Sequence, residues 1–150
     1  MPYATEAEYR AAIVAYRAFH DVFYHFHRSV CADQHDPATA DPRHGTREAI
    51  AANEHDYGGM VGELLPALAQ SYAGPPQYLD RLVETFRQLG VKHAAAPDQP
   101  FDAVLTHQAY VDVDNILEQL LIERERYPSA FDQTFGGTDP RGESGTTTKR

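Results

Sequence analysis

The sequence predicts an all-α protein. Apolar residues recur at three- and four-residue steps through most of the chain, the period of one helix face. Breakers cluster at a few places, notably Gly74-Pro75-Pro76, Pro97 to Pro100 and Pro128. No stretch of useful length alternates apolar and polar residues as a half-buried strand does. The expected architecture is four main helices in an up-down bundle or globin-like packing, with a long polar loop and a disordered C-terminal tail. One helical domain over residues 1–135 and a flexible tail over 136–150 are expected.

The first helix opens at Thr5, with Glu6 and Glu8 behind it. A hydroxyl caps free N–H groups there, and carboxylates suit the positive end of the dipole. Neither Pro nor Gly then occurs before about Ala32. Tyr9, Ile13, Tyr16, His20, Phe23, His27 and Val30 lie along one face, and Phe19, Val22 and Phe26 widen it. Residues 32–48 lack every large apolar side chain and contain Pro37, Pro42 and Gly45, so they form a long surface connection.

A second helix starts near Thr46, with Ile50, Glu54, Tyr57, Val61, Leu64 and Leu68 as its stripe. Gly58, Gly59 and Gly62 weaken it but permit close backbone approach, and Pro66 should kink or restart it. The third helix follows Pro76 with Leu79, Leu82, Val83, Phe86, Leu89 and His93 on one side. The fourth runs from about Phe101 to Tyr127. Its nearly all-round apolar pattern marks it as the central, well-covered helix. Pro128 to Phe135 is expected as a short helical turn.

Composition narrows the function. The formal net charge is -9, from 13 Lys and Arg against 22 Asp and Glu. That argues against a nucleic-acid binder and against a polybasic membrane-surface protein. No apolar run approaches the roughly 20 residues of a membrane span, and no signal peptide is visible. The single Cys31 excludes an internal disulfide and a multi-cysteine zinc site, so a reduced, cytoplasmic protein is expected. The glycines at 58, 59 and 62 have neither the Lys nor the preceding strand of a phosphate loop, and no nucleophile elbow occurs.

Eight histidines remain to be explained. His20, His27, His93 and His107 fall on inward helix faces. A buried polar group without a partner costs about 1–3 kcal/mol, so such rings demand a carboxylate, a carbonyl, a phenol or a cofactor. His20 and His27 are separated by about 10.5 Å along their helix and cannot easily share one ion.

The segment Phe86, Leu89, Gly90, His93, then Phe101 and Val104, resembles the proximal half of a globin over residues 79–121. That resemblance implies haem as cofactor and His93 as its axial iron ligand. It further implies Leu89, Phe101 and Val104 on the proximal face, and Lys92 or Arg81 at a propionate. Tyr57, Val61, Leu64 and Leu68 would form a distal face, and Tyr24 is similar to the distal tyrosine of many bacterial globins. The implied task is binding or reducing a diatomic ligand, or a peroxidase-like side activity.

Two other readings stay open. His107-x-x-x-x-Asp112 resembles the closing motif of hemerythrins, which implies non-haem iron in a four-helix bundle, with His20 and Glu54 as further ligands. The alternative without a cofactor is a helical interaction or regulatory protein, with the abundant Tyr residues serving a binding face. The partner expected is a small-molecule ligand or cofactor, with neither nucleic acid nor membrane, and a homodimer is compatible.

Overall fold

A computed structural model describes residues 2–31 and 46–136. Among these residues every regular element is helical. Most of the expected 32–48 loop and all but Gly136 of the expected tail lie outside the described residues, as do His35 and His44.

Helix α1 spans Glu6–Val30. Thr5 caps it by accepting from the Glu8 backbone N–H at 3.2 Å, and Glu8 reaches back to the Ala4 N–H at 2.9 Å. The face read from the sequence is the buried one: Tyr9, Ile13, Tyr16, Phe19, His20, Phe23, Phe26, His27 and Val30 all lie inside. This helix packs against α2, α3, α5 and α6, and it meets α4 through the Phe19 and Phe23 rings on Phe86.

Helix α2 (Arg47–Gly59) is capped by Thr46, which accepts from Ala49 N–H. It runs into a π-helical turn over Met60–Leu64 and then α3 over Leu65–Ser71. The restart expected at Pro66 therefore takes the form of a widened turn, in which the Leu65 N–H reaches back five residues to the Met60 carbonyl. Pro66 then sits in the first turn of α3, where its missing N–H is least costly. The extra residue in this turn rotates the stripe. Met60 and Leu65 are buried, whereas Val61, expected inside, is 43% exposed. Nothing lies within 4 Å of a side chain placed at Gly58, Gly59 or Gly62, so these glycines do not serve the close approach expected of them.

Helix α4 spans Pro76–Ala95 and α5 spans Ala103–Ile122. They pack along each other, with Arg81 donating twice to Asp112 and Lys92 bonding Asp102 at 2.7 Å. Helix α5 is not the covered central helix its composition suggested. Its outer side leaves Val104, Val111 and Ile122 at 60%, 49% and 66% exposure, and the hub is α1. Nor does α5 continue to Tyr127. A single 3-10 turn over Arg124–Arg126 follows it, because Pro128 holds Tyr127 out of helical geometry. The short α6 (Pro128–Phe135) closes on Gly136, whose φ of 64° is the left-handed C-cap that favours glycine. It packs back on α1, where Arg10 meets Gln133 and Arg17 meets the Thr134 carbonyl.

Asp102 joins the two halves of the α4–α5 corner. It accepts from the Leu105 N–H at 2.8 Å as the N-cap of α5 while bonding Lys92. The Lys92 bond, then the Leu105 N–H, holds its carboxyl below the usual carboxylate range. A lowered folded pKa means the stabilisation is present above the unfolded value, about 3.9, and is lost as pH falls through the folded one. Asp102→Ala should cost about 0.5–2 kcal/mol near neutrality. In urea titrations, the gap between wild type and Asp102→Asn should stay constant above about pH 5 and narrow below about pH 4.

Candidate functional site

Aromatic residues of α1, α2 and α4 meet Phe101, just before α5, in one connected set. Phe19 and Phe23 stack at 5.7 Å, and each touches Phe86 of α4. Tyr57 of α2 lies flat on Phe86, 7° from parallel. Phe26 and Tyr57 both pack on Phe101, at 5.1 and 5.3 Å. His93 ends the series, face to face with Phe101, with centroids 3.8 Å apart.

His93 thus points inward, as its place on the α4 stripe predicts, and its side chain is only 9% exposed. Its Nε2 lies 2.7 Å from Glu54 Oε2 across the interface with α2. A carboxylate only accepts, so that ring nitrogen carries the hydrogen and donates it. The other nitrogen, Nδ1, is buried with no hydrogen-bond partner. Glu54 is itself 45% exposed and lines a cleft of about 290 Å³ with Arg47 and Asp98.

The residues implied for a haem site do not fit that group as a set. His93, Phe101 and Tyr57 come together, but as rings in contact with one another. The nitrogen that would face iron is bonded to Glu54. Leu89 and Leu68 are wholly buried, and Leu64 packs against the same core. Val104 faces outward, and Tyr24 stacks on His20 of its own helix. Lys92 and Arg81, the propionate candidates, bond Asp102 and Asp112.

The ligand set read for non-haem iron is dispersed, each residue engaged with a different neighbour. Glu54 meets His93, Asp112 meets Arg81, His107 meets His27, and His20 stacks between Tyr16 and Tyr24. Among the described residues, no three His, Cys, Asp or Glu side chains converge as a metal site.

The tyrosines expected on a binding face are largely internal. Tyr9 donates to the Leu120 carbonyl at 2.7 Å, and Tyr127 to the Tyr3 carbonyl at 2.9 Å. Burial drives the Tyr9 phenol far above its ordinary value. Cys31 is buried against the Ala103 carbonyl, and burial, with Asp102 nearby, pushes its thiol up to about 11. That setting suits an inert cysteine.

Sequence reasoning missed an apolar groove between the π-helical segment with α3 and the outer side of α4. Tyr57 and Phe86 form its floor, with Val61, Leu65, Val83 and Val91 around them, and its volume is about 640 Å³. Its wall includes Gly90, and here the absence of a side chain matters. The Tyr57 hydroxyl crosses that spot to donate to the Phe86 carbonyl. Local periodicity assigned Val61 and Val83 to the core, so the only available signal was an apolar stripe wider than one core face.

The two kinds of glycine should respond oppositely to alanine. Gly90→Ala drives a methyl into the Tyr57 hydroxyl, whose ring is held by Phe86 and Phe101, and should cost about 1–3 kcal/mol. Gly58→Ala meets open space in a helix and should gain about 0.5–1 kcal/mol. Thermal and urea denaturation of the two variants measures both signs.

Compared with known protein families, curated proteins and solved structures, the chain matches none at a significant level.

Proposed function

We propose that this chain is a helical binding protein that takes a small, largely apolar molecule in the groove between α4 and the π-helical segment. The observation that supports this reading is the groove's chemistry. Val61, Val83 and Val91 stand 43%, 44% and 59% exposed around an aromatic floor. Exposed valines scattered singly mean little, but three sharing one concave surface leave apolar area in water that a ligand would cover. Its volume falls within the range of about 300–1,000 Å³ typical of small-molecule sites. The neighbouring cation, Arg87, is held at 3.0 Å by Glu84 and is not oriented by the groove itself. Affinity would therefore come from contact area more than from charge.

The π-helical wall is consistent with such a role. Single π-helical turns are rare inside helices and recur at functional sites. No helix among the described residues is long and apolar enough to cross a membrane.

Nile red, a neutral apolar dye, tests the reading. Saturable one-to-one binding with a blue-shifted emission is expected. Val91→Glu places a charge in the groove and should weaken binding about tenfold or more, because that charge must be desolvated. Val111→Glu, on the outer side of α5, should leave binding unchanged. Equal loss in both variants, or none in Val91→Glu, would contradict the groove as the site.

A further inference from the structure

A second constellation shares no residue with the groove. His27 of α1 and His107 of α5 face each other, with His27 Nε2 3.3 Å from His107 Nδ1. We propose that this pair is a two-imidazole site for a late first-row divalent ion such as Cu²⁺ or Zn²⁺, with water completing the coordination.

The spacing is the first argument. Two nitrogens that bind one ion at about 2.0–2.1 Å lie about 3.3–3.4 Å apart on a tetrahedral ion such as Zn²⁺ and about 2.8–3.0 Å apart as cis ligands of a tetragonal ion such as Cu²⁺. The pair, at 3.3 Å, stands at the first separation and within about half an ångström of the second, so binding needs a tilt of each ring toward a common point, about 35–45°. The rings are also held in place. Tyr110 stacks on His27 at 4.7 Å and on His107 at 5.9 Å, and the Phe23 ring lies 5.9 Å from His27. A ring already ordered by stacking loses little freedom on binding a metal.

Access and charge agree with this. His27 is 3% exposed, whereas His107 is open to solvent, so an ion can arrive at the surface edge of the pair. The Tyr110 face presents negative quadrupole density to a ring that becomes cationic on coordination. The chain's charge of -9 draws cations generally. Imidazole donors select copper, zinc or nickel over magnesium and calcium. No third His, Cys, Asp or Glu among the described residues joins the pair, so the protein supplies two ligands and binding is correspondingly exchangeable.

The hydrogen between the two nitrogens passes, through solvent, to the outer nitrogen of the ring that held it, so both rings stay neutral and both facing lone pairs turn to the metal.

The test is a chelator-buffered Cu²⁺ titration of the untagged chain at neutral pH, followed by electron paramagnetic resonance. One saturable equivalent with two equatorial nitrogens is expected. His107→Gln should lose about tenfold or more in affinity, in line with removal of one of two protein ligands. His107 is exposed, so that variant should keep the wild-type circular dichroism. His27→Gln provides a second measurement on the buried side of the pair. His55→Gln, on the exposed side of α2, should bind as wild type. Unchanged affinity in His107→Gln, a single-nitrogen signal, or no binding by wild type would each overturn the proposal.

Discussion

The contact between the phenylalanines of α1 and Phe86 of α4 organises the molecule. Phe19 and Phe23 are wholly buried, and both rest on Phe86, which in turn carries Tyr57 from α2. Burying rings of this size is the largest favourable contribution an individual core residue makes, and edge and offset stacking adds about 0.5–1.5 kcal/mol per pair. Three helices thereby share one aromatic centre. Phe101, just before the Asp102 cap of α5, extends it to His93.

That continuity decides what the interior can hold. The space beside His93 is occupied by the Phe101 ring, and the imidazole edge is bonded to Glu54. The histidine acts as the polar end of an apolar column, with a half-exposed carboxylate linking it to solvent. Opportunities for binding then move outward. One is the groove on the far side of Phe86 and Tyr57, where the π-helical turn leaves valines uncovered. Another is the imidazole pair at the surface edge of the α1–α5 contact.

Helix positions were legible where one period ran unbroken. The inward face of α1, the Thr5 and Thr46 caps and the breaks at Pro75 and Pro128 all follow from local chemistry. The α2 stripe was not, because the π-helical turn shifts the rotation by a residue at Met60, and no single local residue announces that shift. His93 was correctly placed on an inward face, but its partner stands 39 positions away on a facing helix. The same holds for His27 and His107, separated by 80 positions, and for the groove, which depends on how far two helices stand apart. Periodicity gives a residue's direction within its helix. It carries no information on which side chain meets it there.

The central claim is that the rings around Phe86 and Phe101 fill the interior and that Glu54 holds His93. Titration of hemin into the wild type and His93→Ala, followed by absorption spectroscopy, tests it most directly. The account predicts the same spectra for both proteins, any weak association being independent of position 93. A stoichiometric Soret band in the wild type that disappears in His93→Ala would contradict it.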